Sequence, residues 1–384
     1  MPLFRVHLTR TVDESYDIHF VNQEELISLL LSDLCQQGSP RPQRCAVITD
    51  STLYNLYSSF LEAIRTSFGA DSFGVNRCHI FSFEDGEPSK QLDTVAFLHK
   101  KLLDHHYDRD SCIITFGGGV VGDVAGFVAA TYKRGIPYFS IPTTLLAMVD
   151  SSIGGKTGVN VARVKNAVGL FYHPKKVYLC TDFLKTLPPH ELLNGSAEII
   201  KCALIRDKDF VAYLKEYAHP FLALEKRILL EVIMRALTIK VSLIEQDPYD
   251  KGARKLLNYG HTIGHALEST VHHALSHGQA VAYGMIVEGH ISYQLGMLTA
   301  LDFKEIKECI TRYGLPLHLS VFSLKINLLK INSEELCLYI ANDKKNVGEM
   351  INIVLLKTLG EARLVPLTFS QLEPMLAFAL KEVM

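Results

Sequence analysis

The 384-residue sequence contains no apolar run of the roughly 18 residues that a membrane-spanning helix requires, which argues against an integral membrane protein. It has almost no net charge. With 39 Lys and Arg against 41 Asp and Glu the formal balance is −2, which leaves no overall footprint for nucleic acid or an anionic membrane surface. The opening MPLFRVHLTR has no apolar core followed by a cleavage site, so no secretory signal is expected there. The eight cysteines (Cys35, Cys45, Cys78, Cys112, Cys180, Cys202, Cys309 and Cys337) never fall in a CxxC pair. A chain of this length does not need disulfide staples, so they are expected as reduced core thiols of a cytoplasmic protein. Internal repeats and low-complexity tracts are also missing.

What is present suits a large globular protein. An apolar fraction of 48% with 21% charged residues is ample for more than one core, and the length suggests about two domains. The first half alternates strand and helix signals. FRVHL (4–8) and YDIHF (16–20) read as an N-terminal hairpin; CAVITD (45–50), CHIFSF (78–83), SCIITF (111–116), PYFSIP (137–142) and KVYLC (176–180) read as strands. Between them, TLYNLYSSFLEAI (52–64) and SKQLDTVAFLHKKLL (89–103, with Ser89 as N-cap) have helical spacing. The alternation predicts an α/β domain with a Rossmann-like, mostly parallel sheet. Near Pro188-Pro189 the character changes. LPPHELLNGSAEIIKCALI, 220–246, 256–275 and 278–296 are helical in pattern, and EMINIVLL (349–356) is the only strand signal. We therefore expect an α/β domain over 1–187 and a mainly α-helical C-terminal domain over 188–384.

Gly117, Gly119 and Gly122 in FGGGVVGDVAG satisfy G-x-G-x-x-G between a strand and a helix. Glycines there let backbone approach a pyrophosphate, whose charge is favoured at a helix N-terminus. A tight turn that binds nothing fits the same pattern. The usual dinucleotide loop follows the first strand and has an acid about twenty residues later. Here several strands precede the loop, the best strand-end acid, Asp50, also precedes it, and Thr143 and Thr144 occupy the later position.

Three polar motifs stand out in the second half: AEIIK with Glu198 and Lys201, NYGHTIGHALE with His261 and His265, and SHGQA with His277. Zinc favours imidazole nitrogen and carboxylate oxygen, and a catalytic zinc keeps three protein ligands and one open position. Glu198, His261 and His277 would make such a set. His261 and His265 are four apart on one helix face, so both could bind one metal, or one could bind it while the other meets substrate. His272 and His273 belong to no such motif. With a nucleotide loop upstream, the combination points to a metal-assisted redox enzyme. Arg134, Lys156, Lys165, Lys201, Lys240, Arg254 and Lys345 recur beside the motifs and point to an anionic substrate. GGKTG (154–158) lacks the first glycine of a P-loop, since Asp150 stands there, so an NTPase is not expected.

Taken in order, FGGGVVGDVAGFVAATYKRG, IPTTLLAMVDSSIGGKTGVN, KNAVGLFYHPKKV, NGSAEIIK, RKLLNYGHTIGHALE and SHGQAV resemble the 3-dehydroquinate synthase family over nearly the whole chain. The resemblance implies zinc (or cobalt) on Glu198, His261 and His277. It implies NAD against Asp50, Glu87, Lys90, Gly118, Gly119, Val120, Asp123, Thr143 and Thr144, with Phe183, Thr186, Leu187 and Asn194 along its far side. Substrate would meet Asp150, Lys156, Lys165, Asn166, Glu191, Lys201, Lys240, Arg254, Asn258, His265 and Lys345, with Asp250 as a proton acceptor. Arg134 would reach a neighbouring subunit's site in a homodimer. The implied reaction belongs to the shikimate pathway. It converts 3-deoxy-D-arabino-heptulosonate 7-phosphate to 3-dehydroquinate and phosphate by transient oxidation with NAD, loss of phosphate, re-reduction and intramolecular aldol closure. Another sugar-phosphate cyclase, or an NAD-dependent polyol dehydrogenase of the same superfamily, is the alternative. Three positions depart from the family pattern: Gln279 and Asp250 replace glutamates, and Thr52 replaces an asparagine.

Overall fold

A computed structural model describes residues 11–34, 44–69, 76–162, 164–270, 275–317, 333–341 and 350–383. Its strands are β1 (Asp17–Phe20), β2 (Cys45–Asp50), β3 (Cys78–Phe83), β4 (Cys112–Gly117), β5 (Tyr138–Pro142), β6 (Lys156–Val161), β7 (Val164–Phe171), β8 (Lys176–Leu179), β9 (Met350–Thr358) and β10 (Glu361–Thr368). Six of them form one sheet in the order β1-β8-β5-β4-β2-β3, and every described pairing in it is parallel. Parallel strands need helical crossovers, which cover both faces and bury the central strands β2, β4 and β5 almost completely. The side-chain period of two shows this directly. Ala46, Ile48 and Ile113 face the helices Leu92–Asp104 and Gly119–Thr131. Cys45, Val47, Cys112 and Ile114 face the helices Gln23–Leu34 and Ser58–Ser67.

The strand order places the ligand crevice. From β2 the chain crosses to β3 on one side, and from β4 it crosses to β5 on the other. Open α/β sheets bind ligands at such a switch point, beyond the carboxyl ends of the strands. Asp50 ends β2 and Gly117 ends β4, so the acid and the glycine loop meet at that point although the acid comes earlier in sequence.

Several expectations need correction. β1 runs parallel to β8, with Asp17 opposite Lys176; the hairpin expected with 4–8 falls outside the described residues. The helix expected from Ser89 begins at Leu92 behind Gln91, because Glu87–Ser89 form a separate 3-10 turn. The 52–64 segment divides into Ser51–Leu56 and Ser58–Ser67 at Tyr57, and 220–246 divides at Leu224, whose φ of +58° leaves the helical region. β6 and β7 form an antiparallel hairpin that the glycines of GGKTGVN and KNAVGLF disguised. β9 has an antiparallel partner, β10, in which half of the residues are exposed and Pro366 interrupts the strand signal.

The second half is helical, beginning with Pro189–Arg206, whose proline at the first turn costs no hydrogen bond. The helix His277–Gln294 is buried on nearly all sides between Pro189–Arg206, His261–Thr270 and β9. Among the described residues no helix is long and apolar enough to cross a membrane.

Candidate active site

The helices Pro189–Arg206, His261–Thr270 and His277–Gln294 each deliver one side chain to a single point. Gly260 has φ +79°, and a Cβ there would stand 2.7 Å from the Val281 carbonyl oxygen. Only glycine lets the turn before His261 press this closely on the neighbouring helix. His261 Nε2 and His277 Nε2 stand 3.2 and 3.3 Å from Glu198 Oε1. That oxygen is buried and accepts no hydrogen bond. The other oxygen, Oε2, receives the Lys201 ammonium, which is 2% exposed. His261 Nδ1 lies 3.2 Å from the Tyr259 carbonyl and His277 Nδ1 3.5 Å from Glu268 Oε1. Each ring thus has its Nδ1 engaged outside and its Nε2 turned inward, the arrangement that second-shell partners give metal-ligating histidines. The three atoms lie within 4.8 Å of one another, and one carboxylate oxygen with two imidazole nitrogens, once deprotonated, fits a divalent cation.

The electrostatics agree. Burial opposes ionisation of Glu198, but Lys201 and His261 beside it hold its carboxyl well below the usual range. Burial lowers His261, which keeps that imidazole neutral. Burial also disfavours charge on His277, yet Glu198 and Glu268 outweigh it and push that imidazole up to about 10. In the metal-free protein His277 is therefore the group that holds a proton.

This point forms one wall of a cavity of about 660 Å³, within the usual range for small-molecule sites. The opposite wall is the β6–β7 hairpin, tied to the segment before the helix Leu92–Asp104 where Asn160 N donates to Lys90 O at 2.8 Å. Sequence reasoning placed many cations here but missed how they are held. Lys90 pairs with Asp123 and Lys156 with Asp250, each at 2.5 Å; Lys165 lies 3.4 Å from Glu268. Lys240 contacts Asp150, and Lys201 contacts Glu198. Each of these five lysines already faces a carboxylate, so the buried ones, Lys90, Lys201 and Lys240, are not left as bare charge. Lys240, buried, is pulled below the usual lysine range; Asp150, although buried, is held low by Lys240. Arg254 is buried, with Nη1 donating to the Pro248 carbonyl (2.7 Å) and Nη2 to the Gly154 carbonyl (3.1 Å).

Asn166 (φ +51°) and Asp250 (φ +58°) both have left-handed backbone, which short polar side chains tolerate best. This gives a physical reason for aspartate at 250. Its Oδ2 still reaches Lys156, and its Oδ1 is buried without a hydrogen-bond partner. Asn166 Oδ1 accepts from Lys90 at 2.6 Å. Asn258, His265, Glu87 and Gly119 also line the cavity.

At the sheet's switch point, Asp50 accepts the Leu53 N–H at 2.8 Å, and burial raises its carboxyl. A Cβ on Gly118 would stand 2.9 Å from Thr144 Cγ2, so the loop packs directly on the β5 end. Thr143 Oγ1, Thr49 Oγ1 and Ser151 Oγ are buried there without hydrogen-bond partners. Unpaired buried hydroxyls are costly unless a ligand satisfies them, which fits a polar cofactor. Sequence reasoning singled out Thr143 but missed Thr49 and Ser151. Their signal was adjacency to Asp50 and Asp150.

Other candidates sit further out. Phe183 is packed among Tyr57, Phe60 and Phe116, and its carbonyl accepts from Thr186 Oγ1 at 3.1 Å. Thr186 Oγ1 contacts Tyr57 Oη, and Leu187 packs against the core. Val120 is half-buried at the start of the glycine-loop helix. Asn194 Oδ1 accepts the Gly278 N–H at 2.9 Å while its amide donates to Glu191 at 3.1 Å, so this pair anchors the helix that carries His277. Gln279 caps the same helix by accepting from Ser276 N at 3.0 Å. Arg134 is exposed at the far end of the helix Gly119–Thr131, about 20 Å from the loop at 1.5 Å per residue. Lys345, His272 and His273 lie outside the described residues.

The chain is similar to known proteins over most of its length. The family models for the 3-dehydroquinate synthase N-terminal and C-terminal regions match residues 80–194 and 195–346. A 3-dehydroquinate synthase of Alkaliphilus metalliredigens is 43% identical over 288 residues, 75% of this chain and 78% of that one. Among solved structures, 2-epi-5-epi-valiolone synthase from Streptomyces hygroscopicus, with NAD+ and Zn2+ bound, has a TM-score of 0.84 at 25% identity, covering 99% of this chain and all of that one. A 2-deoxy-scyllo-inosose synthase complexed with carbaglucose-6-phosphate, NAD+ and Co2+ has a TM-score of 0.79 at 25% identity, covering 96% of each chain. The matches span both the glycine-loop half and the half that carries Glu198, His261 and His277: the chain belongs to the 3-dehydroquinate synthase family.

Proposed function

We propose that the protein converts 3-deoxy-D-arabino-heptulosonate 7-phosphate to 3-dehydroquinate and phosphate, using NAD and a divalent metal, zinc or cobalt. The observation that carries this reading is the single cavity that joins Glu198, His261 and His277 to five carboxylate-paired lysines and opens towards the glycine loop. When bound, the metal would favour ionisation of a substrate hydroxyl, and NAD would accept a hydride and return it, so that no net oxidation results.

The chain's own residues supply the rest. Lys156, Asn166, His265 and Lys345 hold the phosphate, Lys156 exchanging Asp250 for it, and Lys165 lines the same cavity. Lys240 and Arg254 hold the substrate carboxylate, with Asn258 and Asp150 beside them. Asp250, with one oxygen on Lys156 and the other unpaired, is placed to take a proton. Lys201 keeps Glu198 ionised. Asp50, Glu87, Lys90, Asp123, Thr143 and Thr144 line the cofactor's path from the switch point. In this reading residues 1–187 form the cofactor-binding domain and 188–384 the metal and substrate domain. Arg134, exposed and not among the cavity-lining residues, serves the other subunit of a homodimer. The seven described cysteines, all free and buried, suit a cytoplasmic location.

The test couples phosphate release to catalytic NAD with the seven-carbon substrate. Stoichiometric phosphate without accumulating NADH is expected. Net NADH formation from glycerol-like alcohols without phosphate would instead identify a polyol dehydrogenase, and phosphate release only from another sugar phosphate a different cyclase.

A further inference from the structure

The two imidazoles of the metal-ligand set are held differently. His261 Nδ1 faces the main-chain carbonyl of Tyr259 two residues away, so its orientation follows from the local turn. His277 is the first residue of its helix, and its Nδ1 faces a side chain from a different helix, Glu268 Oε1 at 3.5 Å. Glu268 lies seven residues after His261 and three after His265, which puts all three on one helical stripe facing the cavity. Its carboxylate is nearly buried, and its other oxygen stands 3.4 Å from the Lys165 ammonium on β7. Gln279, which also neighbours His277, is committed to the helix cap through Ser276 N. Glu268 is therefore the only carboxylate among the described residues that faces the outer nitrogen of His277.

We propose that Glu268 is a positioning residue for the metal centre. It accepts the His277 Nδ1–H, fixes the tautomer that presents Nε2 to the cation, and is itself held by Lys165 from the substrate-facing hairpin. The inference rests on Glu198, His261 and His277 being the ligands. It ties the order of the metal site to the β6–β7 hairpin, because one carboxylate serves both.

The test uses full-length protein stripped with chelator and titrated separately with Zn2+ and Co2+ against a chromogenic competitor. One ion per chain is expected. Glu268→Gln, isosteric but uncharged, should weaken Zn2+ binding by about 10-fold or more and shift the visible bands of the Co2+ protein, since outer-shell partners typically contribute 10- to 100-fold. Glu268→Ala should weaken it further. Gln279→Ala should lower the melting temperature while leaving metal affinity nearly unchanged, which separates positioning from general stability. Parental Zn2+ affinity and an unshifted Co2+ spectrum in both Glu268 variants would overturn the proposal. So would two ions per chain with one lost in Glu268→Gln, because the ligand atoms of His265, Glu268 and His277 also lie within 4.8 Å of one another and would then hold a second ion. His261→Ala is the control. If it keeps the ion, the ligand set itself is wrong; if it loses the ion while the Glu268 variants keep it, only the positioning role fails.

Discussion

Lys156 and Asp250 meet at 2.5 Å although 94 residues separate them, so the glycine-rich hairpin and the turn before Arg254 are closed over one cavity by an ion pair. The pair is lopsided. Lys156 is 54% exposed in its side chain and free to leave, whereas Asp250 is 17% exposed and fixed by its left-handed backbone. An incoming phosphate can take the ammonium and leave the carboxylate behind as a base. Lys156→Ala should then lower kcat/KM by about 10- to 100-fold, the loss of one charge-assisted contact. Steady-state kinetics with the phosphorylated substrate check it, and near-normal values would exclude the role.

His261→Ala should abolish zinc binding and turnover while leaving the fold largely intact, because the side chain contributes to the cavity wall more than to packing. Elemental analysis and circular dichroism measured together decide it. Retained metal with normal activity would refute the ligand assignment.

Metal uptake should release a proton near pH 7.5. His277 is pushed up to about 10 in the metal-free protein and must lose its proton to coordinate. Calorimetric titration in buffers of different ionisation enthalpy measures the release directly. The same shift has a stability consequence in chelated protein. A folded-state value above the unfolded value of about 6.5 contributes stability that is complete below pH 6.5 and is lost as pH rises through 10. The melting temperature of the chelated protein should fall across that window, and the loaded protein, in which metal has replaced the proton, should fall less.

Gly118→Ala should weaken NAD binding. The added methyl would stand 2.9 Å from Thr144 Cγ2, forcing the loop off the β5 end. Overpacking of this kind costs roughly 1–3 kcal/mol, or about 10- to 100-fold if it falls on the bound state. NADH fluorescence titration checks it. Unchanged affinity would mean that the loop is a tight turn and not the pyrophosphate cradle.

Arg134→Ala and Lys156→Ala should complement each other. If Arg134 serves the partner's cavity, mixing the two impaired variants yields mixed dimers with one intact site, and activity rises to about a quarter of the parental value on random exchange. No recovery after verified subunit exchange would confine Arg134 to its own chain.

Most of the sheet was legible because buried parallel strands read as short apolar runs: CAVITD, CHIFSF and SCIITF appear as β2, β3 and β4. The hairpin β6–β7 was not, since its strands contain Gly158, Gly169 and polar residues facing a cavity, and so lack the alternation that marks a half-buried strand. In the site, the histidines and Glu198 were legible from their chemistry and spacing. Glu268 was overlooked because one carboxylate in a helix carries no signal until a ring nitrogen is found beside it. Asp123, Asp150, Glu198 and Asp250 were named as site residues, but the lysines that Asp123, Asp150 and Asp250 face come from distant segments and left no local signal.

By itself the sequence determined the local terms: where apolar periodicity makes strands and helices, where glycine lets backbone turn tightly, and which side chains can donate to a metal or attract a phosphate. Those depend on residues within a few positions of one another. Only the tertiary structure decided that Asp50 and the glycine loop share a switch point, that each cavity lysine has its own acid, and that Glu268 stands between Lys165 and His277. Coulomb and hydrogen-bond energies depend on separation in space, and separation in space between distant segments is settled by how the layers pack.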